Sequence, residues 1–294
     1  MSGIPAPDDR ELLERYVRNY GLDSAPPNGV DDVRFHFDLE TRLTQELLAS
    51  TAEDRWDVFN RAYSELYEKL PWLSQSGGTP DPERWERLIG PAPRRVYEVG
   101  SGAGGLARAL AEHGYTVVAT DISRERGDDR LGGPRLIWGV TDGVHLERHA
   151  DAGSFDAVLS DQVIEHLHPD DVTRHFAGAL ALLRPAGRYV FRTPHALTGP
   201  HDVSLVFGFD RPVGMHLREY TCDELVSAAQ LAGFGRVRSV VSLPRIARAT
   251  WPSTIHRRYE GFFDKATGEL ARKASRRLRG SLRPAVWLVA ERAL

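Results

Sequence analysis

Four of the six residues from Gly100 to Gly105 are glycine, and they stand between an apolar run and a stretch that favours a helix. Glycine lets the backbone turn sharply and lets a ligand approach without interference from a Cβ atom. The helix that follows would offer the unpaired N–H donors of its first turn. Gly100, Gly102 and Gly105 match the spacing G-x-G-x-x-G. Because Asp121 follows about 20 residues later, the glycines alone leave a nicotinamide cofactor open.

Three features favour a nucleoside that carries a charged amine over a dinucleotide. Glu98 lies two residues before the first glycine, where a carboxylate would repel a pyrophosphate but would suit a cationic amine. Asp142 follows the third predicted strand and could accept a hydrogen bond from the exocyclic amine of adenine. The chain also lacks a second mononucleotide-binding half, since its last strand candidates are separated by a helical stretch.

The hydrophobic pattern around these residues predicts strands that alternate with helices. The strand candidates are residues 94–100, 116–121, 135–141, 155–160, 188–193, 236–243 and 285–290. Helical stretches fall at 103–113 and 169–183, and a capping box at Thr221 and Glu224 opens another helix. Strands joined by helical connections form parallel βαβ units. We therefore expect an α/β fold with a seven-stranded, mostly parallel sheet and helices on both faces.

Residues 1–80 precede this pattern and are predicted to form a helical cap or lid. Amphipathic helical patterns fall at residues 9–20, 41–50 and 54–70. The third pattern carries aromatic residues at helical spacing on one face, namely Trp56, Phe59, Tyr63 and Tyr67. This face is either the core of the cap or a wall over an apolar substrate. The other predicted segments are a binding core at 81–252, a helical insertion at 253–283 and a last core strand at 284–294.

Together these motifs resemble the class I S-adenosylmethionine-dependent methyltransferases. The resemblance is closer to a bacterial small-molecule group that includes the ubiquinone-type O-methyltransferases, and it covers about residues 91–243 and the last strand. The matching motifs are residues 98–104, Asp121, Asp142 and residues 160–167, 183–187, 192–195 and 216–221. The resemblance implies a Rossmann-like methyltransferase fold and S-adenosylmethionine as the cofactor.

The resemblance also implies a set of cofactor-binding residues. They are Glu98, Gly100, Ser101, Gly102, Gly104, Asp121, Ile122, Thr141, Asp142, Gly143, Ser160, Asp161 and Gln162. Glu98 and the glycine loop would hold the methionine amine and carboxylate, and Asp121 would accept the ribose hydroxyls. Ile122 would pack on adenine, and Asp142 would bind its amino group. Residues 160–162 would border the methionine near the sulfonium.

Histidine is the natural base for removing a proton from a hydroxyl acceptor at neutral pH. His166, just past the fourth predicted strand, and His216, before the capping box, are the leading candidates for a catalytic role. His195 and His201 are further candidates, and each histidine could instead make a structural hydrogen bond. His175 is expected at the surface.

A metal-dependent mechanism must also be weighed. Some relatives carry Glu-x-x-Glu-His after the fourth strand and another histidine later, and these ligands bind a divalent ion that activates a hydroxyl. Here the corresponding residues are Gln162, Glu165 and His166, with His216 later. A hard cation prefers anionic oxygen, and the first position is a neutral amide. We therefore expect no functional divalent metal.

Composition sets the expectations about compartment and partners. The chain has 294 residues, a formal net charge of −3 and one cysteine, Cys222, which excludes an intramolecular disulfide. The first residues do not resemble a signal peptide, and no apolar run reaches the roughly 20 residues of a membrane span, so we expect a cytoplasmic protein without a membrane partner. A basic run at 272–279 could contact RNA, but a pI near 6.4 argues against a nucleic acid partner.

The expected function is methyl transfer from S-adenosylmethionine to a small organic acceptor. A hydroxyl of a specialised metabolite is the favoured acceptor, because the cap would enclose a partly apolar pocket. Three alternatives remain open: N- or C-methylation of a small molecule, methylation of RNA through the basic segment at 253–283, and a binding protein without turnover.

Overall fold

A single sheet forms the centre of the protein. The structure, a computed structural model, describes residues 8–75, 81–123, 132–241, 249–254, 258 and 285–294. The strands within these ranges are β1 (Arg95–Val99), β2 (Thr116–Asp121), β3 (Leu136–Val140), β4 (Phe155–Asp161), β5 (Leu183–Thr193), β6 (Arg236–Val241), β7 (Ala249–Pro252) and β8 (Val286–Glu291). They pair in the order β3-β2-β1-β4-β5-β8-β6-β7.

The strand directions match the predicted fold. β1 to β5 pair in parallel, whereas β8 runs antiparallel between β5 and β6. This arrangement confirms the seven-stranded, mostly parallel sheet of a Rossmann-like methyltransferase. An eighth strand, β7, pairs antiparallel with β6 at the sheet edge and was not predicted. Its four residues end in proline and are too few to show a strand period.

Helices cover both faces of the sheet, as predicted. They are α1 (Asp9–Tyr20), α2 (Val30–Ala49), α3 (Arg55–Lys69), α4 (Pro71–Gln75), α5 (Pro82–Ile89), α6 (Gly105–Glu112), α7 (Val172–Leu182), α8 (Val203–Val206) and α9 (Cys222–Leu231). α5 and α6 bury apolar residues on one face, and α7 and α9 cover the other. None of the helices in the described ranges is both long and apolar enough to span a membrane.

The second helix departs most from the predicted boundaries. α2 begins at Val30, whereas the sequence pattern placed its start near residue 41. His36 and Glu40 are buried within its first half. Because polar residues occupy core positions there, they interrupt the apolar period from which the helix was predicted. The predicted helical insertion at 253–283 lies almost wholly outside the described residues.

The first four helices form the cap. α2 and α3 pack around an apolar core that includes Leu43, Phe59 and Tyr63, and Met215 from the loop before α9 joins the same core. The predicted aromatic face is therefore core, at least in part. Because Met215 belongs to the sheet domain, this core also joins the cap to that domain.

A buried ion pair connects the cap to the segment just before α7. Nη1 of Arg55, at the start of α3, lies 2.8 Å from Oδ2 of Asp171, just before α7, and their side chains are only 11% and 9% exposed. Asp170 lies 3.8 Å from the same guanidinium but is 78% exposed. Removing one member of a buried pair leaves the other charge without compensation, whereas exposed pairs contribute little.

The substitution Asp171→Asn should therefore lower the free energy of unfolding by about 3 kcal/mol, measured by denaturant titration. Asp170→Asn is the matched control and should change it by less than about 0.5 kcal/mol. Equal losses of unfolding free energy in the two variants would contradict a stabilising ion pair at Asp171.

Candidate active site

A large cavity opens where the carboxyl ends of the parallel strands meet. Its volume is about 1350 Å³, and the cap forms the wall opposite the sheet. Ligands of open α/β sheets bind at this edge. The predicted cofactor residues line the cavity, with the exception of Gly104 and Ser160, and so do His166 and His216. Residues from four separate strand ends are thus brought together in one site.

The glycine loop is shaped by contacts that exclude larger side chains. Gly100 has a φ of 67°, and a Cβ atom there would overlap Cγ2 of Val163. Gly102 has a φ of 54° with open space around its Cα, so its backbone faces the cavity. Its N–H donates to Oδ2 of Asp121 at 2.8 Å, which ties the loop to the end of β2.

Glu98 offers a buried carboxyl group that has no counterion among the described residues. The residue is 5% exposed, and its Oε2 has no hydrogen-bond partner among the described residues. Burial, together with the charges of Asp161 and Asp121, raises the pKa of Glu98 to about 8. The Ser101 hydroxyl is also buried and unpartnered within the described part of the chain. An acidic group beside free donors fits the amine and carboxylate of an amino-acid moiety.

The loops after β2 and β3 hold their carboxylates through backbone N–H groups. Oδ1 of Asp121 accepts from the N–H of Ile122 at 2.9 Å. Oδ1 of Asp142 accepts from the N–H groups of Val144 and His145, and its Oδ2 lies 2.6 Å from the His145 ring. Both carboxylates are thereby fixed at the cavity wall. An adenine amine would add one more donor to Asp142.

The end of β4 makes a strained turn into the cavity. Gln162 has a φ of 59°, which is uncommon for a residue other than glycine and is typical of functional sites. Its N–H donates to the carbonyl of Arg192 at 2.8 Å. Asp161 forms two parallel hydrogen bonds with the Arg192 guanidinium, both at 2.6 Å. Arg192 lines the cavity too and was missed as a site residue, although it lies in a motif that carries the resemblance.

Gly104 and Ser160 do not line the cavity, and their role in cofactor binding stays a prediction. Gly104 has a φ of 71° and begins the turn into α6. The Ser160 hydroxyl is buried and lies 2.6 Å from the Tyr189 hydroxyl. The Tyr189 hydroxyl also forms a hydrogen bond with Nε2 of His175. Nδ1 of His175 donates to the carbonyl of Gly143. Ser160 thus belongs to a network beneath the cavity floor, where its small hydroxyl packs between strands.

His175 was expected at the surface, and this prediction is wrong. The residue is fully buried, and burial lowers its pKa to about 4, so the ring is neutral. The sequence did hold a signal for this position. His175 shares the buried face of α7 with Val172, Phe176 and Ala179, at helical spacing. Its bond to Gly143 holds the turn that follows β3.

The two candidate catalytic histidines lie side by side. Their ring centroids are 4.8 Å apart and the ring planes are nearly perpendicular. Nδ1 of His166 lies 2.9 Å from the carbonyl of Met215. A carbonyl can only accept, so Nδ1 carries the proton and Nε2 of the neutral ring does not. Nδ1 of His216 lies 2.9 Å from Oε1 of Glu219 instead.

Glu219 is a site residue that sequence reasoning missed. Its side chain is 2% exposed and contacts both His216 and the His201 ring. It also accepts the backbone N–H of His201 at 2.7 Å. Burial opposes its ionisation, but these two histidines outweigh that effect and lower its pKa to about 2. A glutamate three residues after a candidate histidine was the available signal. His195, by contrast, is buried outside the cavity lining.

Three groups in the site could hold a metal ion. Ligand atoms of Glu165, His166 and His216 lie within 4.8 Å of one another. Glu165 is fully buried, and burial raises its pKa to about 7 despite the nearby His216. Its Oε2 accepts from the Thr193 hydroxyl at 2.8 Å. The side chain of Gln162, at the position of the missing carboxylate, is exposed. Our expectation of no functional metal stays a prediction.

Comparison with known proteins identifies the family. A family model described as a methyltransferase domain matches residues 79–239, more than half of the chain. The chain belongs to this family. Membership confirms the predicted enzyme class, the class I methyltransferases that use S-adenosylmethionine.

Curated relatives resemble this methyltransferase over part of its length. The ubiquinone biosynthesis O-methyltransferase of Bordetella avium is 29% identical over 185 residues, which cover 56% of this chain and 67% of that enzyme. The enzyme of the same name from Xanthomonas axonopodis is 30% identical over 112 residues, 35% of this chain and 44% of that enzyme. The probable non-canonical nonribosomal peptide synthetase CymA of Salinispora arenicola is 28% identical over 182 residues, 50% of this chain. This chain spans only 2% of CymA and less than half of the Xanthomonas enzyme.

A solved structure shares the fold of this methyltransferase. The 1,6-didemethyltoxoflavin-N1-methyltransferase of Burkholderia thailandensis, which holds 1,6-didemethyltoxoflavin and S-adenosylhomocysteine, aligns with a TM-score of 0.53. The alignment covers 83% of this chain and 92% of that chain at 16% identity. At this identity the likeness confirms the fold alone.

The contact at Gly100 yields a test of the loop. Gly100→Ala should weaken binding of S-adenosylhomocysteine by about tenfold or more, because the new Cβ overlaps Val163 and the left-handed φ strains alanine by about 1–2 kcal/mol. Adding Val163→Ala removes the overlap but not the strain, so the double variant should recover part of the affinity. Calorimetric titration measures both effects. Unchanged affinity in Gly100→Ala would contradict the proposed place of the cofactor.

Proposed function

We propose that this methyltransferase transfers a methyl group from S-adenosylmethionine to a hydroxyl of a small, partly apolar acceptor. When bound, the cofactor supplies a methyl group already activated on a sulfonium. The proposal is carried by one observation: two polarised histidines, the proposed cofactor residues and aromatic residues of the cap line the same cavity. The O-methyltransferase names of the relatives from Bordetella and Xanthomonas support oxygen as the methylated atom.

His166 is the proposed general base. Its Nδ1 donates to the Met215 carbonyl, so in the neutral ring Nε2 is the nitrogen that can accept a proton. Tyr63 from the cap packs edge-on to the ring at a centroid distance of 6.2 Å, which limits its rotation. A fixed ring with one proton-accepting nitrogen at the cavity wall suits removal of a proton from an aligned hydroxyl.

His216 is the proposed oxyanion stabiliser. Burial opposes a charge on this ring, but its bond to Glu219 and the neighbouring carboxylates outweigh that effect and raise its pKa to about 9. The groups that face it are Glu219, Glu165, Asp202 and His166. His216 therefore carries a proton at pH 7 and is poorly suited to accept another. A fixed cation beside the base would stabilise the negative oxygen that forms as the acceptor loses its proton.

The acceptor side of the cavity combines an apolar and a polar wall. The apolar wall comes from the cap and comprises Phe59, Tyr63, Leu66, Tyr67 and Leu73. The polar wall comprises Glu40, His201, Asp202 and His216. An acceptor with an apolar or aromatic body and a hydroxyl at one end would satisfy both walls.

The histidine roles can be separated by substitution. His166→Ala should lower kcat by about 100-fold or more, which is the usual contribution of a general base. The loss should shrink for acidic phenols, whose hydroxyl is already ionised without a base. His113→Ala, at an exposed histidine outside the cavity, is the matched control and should keep full activity. The assay is release of S-adenosylhomocysteine with a panel of hydroxyaromatic acceptors.

Two outcomes would contradict this assignment. The first is equal loss with acidic and weakly acidic phenols, which would give His166 a structural role. The second is loss of turnover in EDTA with recovery in Mg²⁺, which would place a metal ion rather than a histidine base beside the acceptor.

The raised pKa of Glu98 predicts proton release on cofactor binding. With a pKa of about 8, the free carboxyl carries a proton at pH 7, and a cationic amine bound beside it would favour the carboxylate. S-adenosylhomocysteine should therefore release close to one proton at pH 7, and its affinity should rise as the pH increases from about 6 towards 8. Calorimetry in buffers of different ionisation enthalpy measures the release. Glu98→Gln should bind more weakly and release none; the same release in that variant would assign it to another group.

A further inference from the structure

A second cavity lies beside α5, against the part of the sheet formed by β5, β8 and β6. Its volume is about 310 Å³, near the lower end of small-molecule pockets. Four arginines from three elements line it, together with one tryptophan of β8: Arg84, Arg87, Arg188, Arg238 and Trp287. None of these four arginines, and not Trp287, has a role in the proposed methyl transfer.

Two of the four arginines, Arg188 and Arg238, form no ion pair with a described carboxylate, whereas Arg87 pairs with Glu83 at 3.2 Å. Arg188 donates to the carbonyl of Leu88 at 2.8 Å, and Arg238 donates to the carbonyl of Thr250 at 2.7 Å. These carbonyls are neutral, so they satisfy donors without neutralising charge. Glu291 is the carboxylate that lines the cavity, and it forms no ion pair with the described arginines. Such a cavity favours an anion from outside.

Two buried donors in the same cavity have no acceptor. Nε1 of Trp287 and Nε of Arg238 are both buried, and neither has a hydrogen-bond partner among residues that the structure describes. Trp287 is only 3% exposed, so water does not compensate its N–H freely. A buried donor without an acceptor costs free energy, which an incoming oxygen would recover. The guanidinium carbon of Arg84 lies over the Trp287 ring, 3.9 Å from its centroid, in a cation–π contact.

We propose that this cavity is a binding site for a phosphate group. Guanidinium groups that converge from a helix and two strands match the several oxygens of a tetrahedral phosphate better than the two oxygens of one carboxylate. The volume admits inorganic phosphate, diphosphate or a small phosphate monoester. None of the groups that we assign to methyl transfer lines this cavity, although Arg84 lines both cavities.

The test is titration of the whole chain with inorganic phosphate, diphosphate and glycerol phosphate at low ionic strength. Saturable binding should appear by calorimetry, together with a change in tryptophan fluorescence that Trp287→Phe removes. Arg188→Gln and Arg238→Gln should each weaken binding by about tenfold or more, since each removes a charge-assisted contact. Tighter binding of diphosphate than of glycerol phosphate would identify an inorganic ligand, and the reverse a phosphorylated metabolite; both support the site.

Two arginine controls locate the effect. Arg61→Gln, at a 64% exposed position, and Arg10→Gln, at a 90% exposed position, both lie outside the cavity and should leave phosphate affinity unchanged. Ligand should also raise the melting temperature of the unsubstituted chain but not that of Arg188→Gln or Arg238→Gln. Three results would overturn the proposal: no saturable binding at millimolar ligand, equal weakening in the exposed controls and the cavity variants, or lower melting temperatures in the cavity variants with unchanged affinity.

Discussion

The peptide group of Met215 is hydrogen-bonded on both sides, and the geometry of the site depends on these two bonds. Its N–H donates to Oε2 of Glu40 in the cap at 3.1 Å, and its carbonyl accepts from His166 at 2.9 Å. Burial opposes ionisation of Glu40, but His36 and the Met215 N–H outweigh it and lower its pKa, so the acceptor stays charged. Because the groups are buried or nearly so, loss of one bond would leave its partner unsatisfied. The position of the cap and the location of the proton on His166 are therefore coupled.

Two buried glutamates of the site have pKa values shifted in opposite directions. Glu98 and Glu219 are both buried, yet the pKa of Glu98 is raised to about 8 and that of Glu219 is lowered to about 2. Glu98 faces other carboxylates, whereas Glu219 touches two histidines. The first is therefore prepared to ionise only beside a bound cation, and the second is a permanent anion that keeps His216 protonated. The acceptor side therefore holds a buried ion pair, whereas the Glu98 carboxyl on the proposed cofactor side stays neutral until a cation binds.

The sequence predicted the cofactor side of the cavity far better than the acceptor side. The proposed cofactor residues lie at or shortly after the carboxyl ends of β1 to β4, and parallel strands end at the same edge, so chain order alone brings Glu98 and Asp121 together. The acceptor side assembles from distant segments: Glu40 meets Met215 across 175 residues. Buried polar residues such as Glu40 resemble ordinary surface residues in a sequence. Local periodicity therefore gives no sign of such a contact. The same buried polar residues interrupt the apolar period of α2, so the first half of this helix was not predicted.

The fold also explains why one helix of the cap serves both halves of the cavity. The loops that follow the parallel strands supply a polar wall, so an apolar wall must come from elsewhere, and α3 provides it with Phe59 and Tyr63. Asn60, on the same helix, donates to the carbonyl of Ile122 at 2.8 Å, in the loop where we place the adenine. A shift of α3 away from the sheet would break this bond and withdraw the apolar wall at the same time. In this proposal, α3 therefore links the wall that selects the acceptor to the loop that holds the cofactor.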